Sequence, residues 1–512
     1  MDDSKKKWLI AFSVSLGGIM SSLDTFILFV ATPNLRGIFS ATIAEISWVS
    51  TSYAIASMTC MFLSAWFVGR YGSRSVYLGG LAFFAAGSVF CSMSVTLEQL
   101  VFARVIQGLG AGVLLPVEGV ILRKTFPPKQ HGLVIGLYGT SIMFGPAFGP
   151  MLGGIIIDQY SWQLIFILNI PIVIISAVMV RKFLVNENTE ENKKTSHFDF
   201  MGVILLLISV ISLIWLLERG ERTFWLEDDF NLLLIVVSFA SWAFLIAHSL
   251  MVEKPLLDFR ILQYRVFATA NMLNFFAAFL ISGTLFVLPI YMQELLEFSP
   301  TQAGTAMAPR AFVMMLAFPF VGWLFNRVPA IALITFGIGM GILSGVMMSG
   351  FTAETGWHDM ILPQIIQGVS AAFILGPVTT AALISIPKPK MPNAAALEAT
   401  TRLLGSTIGI AAFSTLITHY QLRTWELLRH NVTLSSTVLY KRFNGVIDFF
   451  YSETSSSLFA LEKAYRALNG RVTEQVQALT YMNLFQIITL GFLIMLVLSF
   501  GLSLKPKPEA VS

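Results

Sequence analysis

Fourteen apolar runs of about 18 to 25 residues recur along this 512-residue chain, centred near residues 19, 58, 85, 110, 144, 173, 209, 240, 278, 314, 340, 374, 408 and 493. Each is long enough to cross about 30 Å of hydrocarbon as an α-helix. This constrains the fold more than any single motif. Within hydrocarbon every backbone N–H and C=O must be satisfied internally, so only helices or a closed barrel can span, and barrel strands need only about 9 to 11 residues. Composition agrees: 55% of residues are hydrophobic and 12% charged, with a mean hydropathy of +0.74, far from the balance of soluble domains. The expected fold class is an all-α membrane protein with 14 transmembrane helices. The first run follows Lys5-Lys6-Lys7, but it exceeds a signal-peptide core and has no clear small-residue cleavage site, so it is expected to stay as the first helix.

Charge sets an expected orientation. With the amino terminus in the cytoplasm, twenty basic residues fall on the cytoplasmic side, including Lys5, Lys6, Lys7, Arg70, Arg74, Arg123, Lys124, Arg181 and Lys182. The short opposite loops hold only Arg36, Arg219 and Arg222, and seven more lie in one long loop that the rule largely exempts. Both termini are therefore expected in the cytoplasm. The net charge of +4 reports topology here and gives no reason to expect a nucleic-acid partner. Cys60 and Cys91 are the only cysteines and both lie in spans, so neither a disulfide nor a metal site is expected.

The chain echoes itself. Ser64-Ala65-Trp66-Phe67-Val68-Gly69-Arg70 resembles Val321-Gly322-Trp323-Leu324-Phe325-Asn326-Arg327, and Val105-Ile106-Gln107-Gly108 resembles Ile365-Ile366-Gln367-Gly368. Both echoes are eight spans apart in the same orientation, which predicts parallel repeats about an axis along the membrane normal. A six-helix unit then implies two inserted helices. The expected domains are a six-helix bundle over 1–184, a cytoplasmic linker over 185–198, an inserted pair over 199–252, a second six-helix bundle over 253–504 and a cytoplasmic tail over 505–512. Within the second bundle, residues 420–482 form a long outer segment, too aromatic for a disordered linker, that either caps its own bundle or docks a partner.

Gly145-Pro146-Ala147-Phe148-Gly149-Pro150-Met151-Leu152-Gly153-Gly154 lies inside span 5. Proline removes a backbone donor and glycine gives up side-chain packing, so this density is tolerated only where another helix approaches closely. Such a span suits a protein that changes shape within the membrane.

Ionisable residues inside spans are costly and mark functional positions by default. Asp24 falls about 17 residues beyond the lysine cluster, roughly 25 Å along its helix, with no basic residue within a turn. A desolvated carboxyl there favours its neutral form, fit to gain and lose a proton; the alternative is a structural carboxyl bonded to Ser21 or Ser22. Arg104 lies near enough to one end of span 4 to snorkel. Arg310, near mid-depth of span 10, has no acidic neighbour in sequence and suits either structural pairing or contact with an anionic substrate. Glu398 and Arg402 are spaced i, i+4, which suits an intrahelical ion pair or leaves Glu398 as a second proton site. Glu118, five residues before Arg123, suits an interfacial ion pair or a place in the substrate path. Gln107 and Gln367 are polar candidates for the same path. Abundant phenylalanine and methionine, 43 and 22 residues, would give a cavity an adaptable apolar lining. No HExxH, Walker loop or Cys/His cluster supports an enzyme.

These segments resemble the fourteen-span drug:proton antiporters of the major facilitator superfamily, the EmrB-like multidrug exporters. Gly145 to Gly154 is similar to that family's antiporter motif, with Gly145, Pro146, Gly149, Pro150, Gly153 and Gly154 as its conformational residues. Leu23-Asp24-Thr25 with Ala31-Thr32-Pro33 resembles the span 1 motif, Arg104-Val105-Ile106-Gln107-Gly108 the span 4 motif, and Arg402 to Gly409 the span 13 segment. Gly69-Arg70-Tyr71-Gly72-Ser73-Arg74 keeps the basic residues and glycine of the superfamily's cytoplasmic gate, with Arg70, Gly72 and Arg74 in place, but Gly69 stands where an aspartate is usual. The resemblance implies proton-coupled export of hydrophobic or amphipathic small molecules by alternating access of two six-helix bundles. Asp24, Arg104 and Glu398 would be its proton-coupling residues, and Arg310, Glu118, Gln107, Gln367 and Arg402 its substrate or charge-pairing residues. It implies no cofactor, the proton gradient being the energy source. It also implies a bacterial inner membrane location and, in a double-membrane bacterium, a periplasmic adaptor and an outer-membrane channel as partners. A dedicated exporter of one metabolite, such as a siderophore or lipid-like compound, is the alternative.

Overall fold

A computed structural model of the chain describes residues 3–127, 130, 134, 138, 141, 144–184, 199–220, 223, 225–253, 255–325, 327–387, 390–431, 437–454 and 457–503. The expected linker 185–198, the tail 505–512 and Asn326 lie outside the described residues. All described regular elements are helical. The first six are α1 (Asp3–Ile38), α2 (Ile43–Tyr71), α3 (Ser73–Met93), α4 (Leu97–Thr125), α5 (Phe144–Gln159) and α6 (Asn169–Phe183), the last entered through a single turn at Leu164–Ile167. Next come α7 (Phe200–Gly220) and α8 (Asp229–Met251), packed on each other. The remainder comprises α9 (Arg265–Glu294), α10 (Pro300–Phe325), α11 (Ala330–Ser349), α12 (Trp357–Ile384), α13 (Met391–Asn431), α14 (Thr437–Thr454) and α15 (Ser457–Ser499). Among the described residues, twelve helices are long and apolar enough to cross a membrane. The runs expected near residues 58 and 144 correspond to α2 and to α5, which is described for 16 residues.

Local chemistry sets the helix ends. Thr42 and Glu45 form a reciprocal capping box at the start of α2: Glu45 N–H donates to the Thr42 hydroxyl, and Thr42 N–H donates to the Glu45 carboxylate at 2.8 Å. Gly72 ends α2 at φ 79°, a left-handed value open to glycine, and the chain turns directly into α3.

Helices α1 to α6 pack together, as do α9 to α13 with α15. The two halves meet along several seams. A Cβ added at Gly145, Gly149 or Gly153 of α5 would run into α1 at Ser22, Phe26 or Ile27. On its other face, one added at Gly154 would strike Pro300, and one added at Gly304 would strike Pro150, so α5 is wedged between α1 and α10. At the far side, where α1 ends, Arg36 pairs with Glu294 of α9 at 2.5 Å and Gln293 donates to the Val30 carbonyl at 2.9 Å. Helix α2 packs on α13 along another seam, and α7 bridges it: Trp215 meets Trp48 of α2 edge to face, while Thr415 of α13 donates to the Leu217 carbonyl.

The described part of residues 420–482 is helical. α13 runs on to Asn431, α14 lies against α15, and α15 starts at Ser457, well before its apolar span. Phe443 is buried against Tyr465 with ring centroids 4.9 Å apart, while Phe449, Tyr451, Leu458 and Phe459 are exposed.

Candidate functional site

Five helices meet in one polar cluster built around a carboxylate. Asp24 of α1, 1% exposed, accepts from Arg104 Nη1 of α4 at 2.5 Å on Oδ2. On Oδ1 it accepts from Gln107 Nε2 at 2.8 Å and Asn169 Nδ2 of α6 at 2.9 Å. Gln107 also donates to Ser88 of α3 at 3.0 Å and accepts from Arg104 at 2.6 Å. The Arg104 guanidinium donates through Nε to the Val49 carbonyl of α2 at 3.1 Å and lies 4.0 Å from the Tyr53 ring centroid. Planar guanidinium chemistry permits this combination of bonds along its edge and a ring on its face. The spacing Arg104, Gln107 puts both side chains on one face of α4, three residues apart.

Several expectations are corrected here. Asp24 does not stand alone: its cation comes from another helix, 80 positions along the chain, where no count along α1 finds it. Nor is it bonded to Ser21, whose hydroxyl meets Tyr53 at 3.1 Å. Arg104 does not snorkel; it is as buried as Asp24 because the carboxylate and the Val49 carbonyl satisfy it in place. Glu118 forms no boundary pair. It is fully buried on α4 and accepts from the Tyr138 hydroxyl at 2.5 Å, beside Tyr77 and Gly17.

In the second half, Glu398 of α13 accepts from Asn274 of α9 at 2.5 Å and Thr379 of α12 at 2.7 Å. Its i, i+4 partner Arg402 is 3.4 Å away with a side chain 47% exposed, so the intrahelical pair is the weaker part of this cluster. Arg310 of α10, 5% exposed, donates to Gln367 Oε1 of α12 at 3.0 Å. Gly145, Pro146, Gly149, Pro150, Gly153 and Gly154 are all buried in the seams of α5. Arg70 lies over Trp66, Gly72 turns the corner between α2 and α3, and Arg74 donates to the Arg181 carbonyl of α6 at 2.7 Å, all within the first half. Among the described residues no cluster of His, Cys, Asp and Glu has the makings of a metal site. Asn169, Ser88, Tyr53, Asn274 and Thr379 were not singled out from sequence. For Asn169 the signal was present, an amide in the apolar run Phe166-Ile167-Leu168-Asn169-Ile170.

Comparison with known proteins fits this arrangement. Residues 14–410 match the Major Facilitator Superfamily. The chain is 28% identical over 469 residues to the multidrug export protein EmrB of Escherichia coli (strain K12), covering 91% of this chain and 90% of that one. It is 30% identical over 412 residues to the riboflavin transporter RibZ of Clostridioides difficile (strain 630), covering 80% of this chain and 88% of that one. A solved bacterial homologue of the human lysosomal transporter Spinster, inward-facing and unoccupied, shares the fold with a TM-score of 0.65 at 13% identity, over 98% of this chain and 99% of that one. The chain is thus an integral membrane transporter rather than an enzyme, and it belongs to the major facilitator superfamily.

Proposed function

We propose that this protein exports hydrophobic or amphipathic small molecules in exchange for protons, by alternating access, across a bacterial inner membrane with both of its termini in the cytoplasm. The reading takes fourteen spanning helices, with α1 to α6 and α9 to α13 plus the apolar part of α15 as two six-helix bundles and α7 and α8 as the inserted pair. The similarity to EmrB, a multidrug export protein, supports export as the direction.

The observation that carries it is the Asp24–Arg104 pair, buried and held by Gln107, Asn169 and the Val49 carbonyl. Removing one partner of a buried ion pair costs about 3–5 kcal/mol because the other charge is left bare. Protonating Asp24 does just that to Arg104. The guanidinium then needs another acceptor, and a helix movement that supplies one ties proton uptake to a change of shape. Proton entry from outside would release cargo outward, and proton loss to the cytoplasm would restore the pair. A charge crossing 100 mV contributes about 2.3 kcal/mol, enough to sustain a sizeable gradient. Glu398 is the second proton site in this scheme, set among neutral donors from α9 and α12. In a double-membrane bacterium, α14 and the start of α15 would meet a periplasmic adaptor that leads to an outer-membrane channel.

The test is efflux from proteoliposomes carrying a panel of labelled hydrophobic compounds under an imposed pH gradient. Asp24→Asn keeps the side chain's shape but holds no exchangeable proton and accepts on one oxygen only, leaving Arg104 without its anion as protonation would; it should fold with lowered stability, exchange cargo at equal pH and fail to concentrate it. Full gradient-driven efflux by this variant would refute the coupling.

A further inference from the structure

The repeat places two polar clusters in matching positions, and they differ by one charge. Trp66 and Arg70 at the end of α2 match Trp323 and Arg327 at the end of α10, each arginine lying over the ring four residues earlier, at 5.6 and 3.9 Å. The same offset matches Tyr53 on α2 with Arg310 on α10. Backbone packing agrees. A Cβ added at Gly108 of α4 would strike the Tyr53 carbonyl, and one added at Gly368 of α12 would strike the Arg310 carbonyl.

Gln107 is a two-way link in the first half: its Oε1 accepts from Arg104 and its Nε2 donates to the Asp24 carboxylate. Gln367 repeats only half of this. Its Oε1 accepts from Arg310 at 3.0 Å, while its Nε2 is buried with no hydrogen-bond partner among the described residues. Gln364 stands three residues before Gln367, as Arg104 stands before Gln107, and both of its side-chain polar atoms are buried without a partner. The element matching α1 is α9, which carries no acidic residue before Glu294 in its last turn, and that one is taken by Arg36. Glu398 is held by Asn274 and Thr379. Among the described residues Arg310 therefore has no carboxylate, although buried charges are normally paired and buried amides normally bonded.

We propose that Arg310, Gln367 and Gln364 bind the carboxylate of an amphipathic substrate, which occupies in the second half the place that Asp24 fills in the first. Arg310 supplies the charge and Gln367 Nε2 a directed donor, with Gln364 beside them on α12. Arg310 lies about ten residues, or roughly 15 Å, from the start of α10, near the depth at which a central site opens to each side in turn. The assignment rests on the transporter reading above and narrows its cargo to organic anions.

Equilibrium dialysis of the full chain in phosphatidylcholine nanodiscs, which keep anionic lipid out of the measurement, tests it with 2-naphthoate and its neutral amide 2-naphthamide at one fixed pH. The native protein should bind the naphthoate about tenfold or more tightly than the amide. Arg310→Gln should erase that preference while leaving amide binding within about twofold, and Gln367→Leu should reduce naphthoate binding several-fold. Equal affinity of the native protein for both probes would overturn the site, whatever the folding of the variants. So would a full preference retained in Arg310→Gln. Because no gradient is applied, loss of the preference alongside intact pH-driven efflux sinks only this site. An intact preference alongside efflux indifferent to pH sinks only the coupling.

Discussion

Asn169 shows how much a single amide does at a buried charge. It supplies one of three hydrogen bonds to the Asp24 carboxylate, which is 1% exposed. Leaving a buried charged group short of a donor costs about 1–3 kcal/mol, so Asn169→Ala should lower the thermal unfolding temperature of the purified protein measurably. An unchanged unfolding temperature would mean that Asp24 finds the donor elsewhere. At this scale the sequence was legible by type but not by partner. Asp24, Arg104, Gln107 and Arg310 stand out because polar groups in apolar runs are costly. Their pairings do not, because a contact between residues 80 or 145 positions apart leaves no mark in local spacing. Glu118 is the sharpest example: Arg123 was near in sequence, yet the buried carboxylate answers to Tyr138, twenty positions along.

Among elements, α5 was the most readable, since its glycines and prolines announce close approach before any neighbour is known. What they could not announce was that the approach is two-sided, to α1 through Gly145, Gly149 and Gly153 and to α10 through Gly154. A Gly149→Val change forces a side chain against Phe26 and should cost about 1–3 kcal/mol through overpacking, read as a lower unfolding temperature together with slower transport. Normal stability and rate would show that the seam yields. The α7–α8 pair is fastened at its base by Asp199. That carboxylate meets His248 at 2.6 Å and accepts from the Leu256 and Gly202 backbone N–H groups at 2.9 and 2.8 Å. Burial pushes the Asp199 carboxyl up, but these hydrogen bonds outweigh it and hold the group below the usual carboxylate range. A lowered folded-state value means stability that is present above the unfolded-state value and lost as pH falls through the folded one. Acid should therefore loosen this corner below about pH 4. Asp199→Asn should flatten that part of the acid unfolding curve relative to the native protein, and coincident curves would remove Asp199 from the account.

For the whole molecule, the repeat was visible in two short echoes, and the stacked Trp66–Arg70 and Trp323–Arg327 pairs give it a physical basis. The helical build of the described part of residues 420–482 was not, because aromatic content alone does not separate an irregular cap from extended helices. The ion pair of Arg36 with Glu294 ties the halves on the far side. Breaking it with Arg36→Ala should shift the population toward opening there. Spin labels at Ser40 and Glu297, in a chain whose Cys60 and Cys91 are replaced by alanine, should report longer distances by electron–electron resonance, and an unmoved distribution would rule the pair out as a latch. The placement of α7 has a different consequence. By reaching both α2 and α13 it fastens their seam with side chains of its own, whereas the seam between α5 and α10 is held by Gly154 against Pro300 and Gly304 against Pro150. One join between the halves is thus riveted by the side chains of a third helix, while the other rests on bare backbone against backbone, where a single added methyl group has no room.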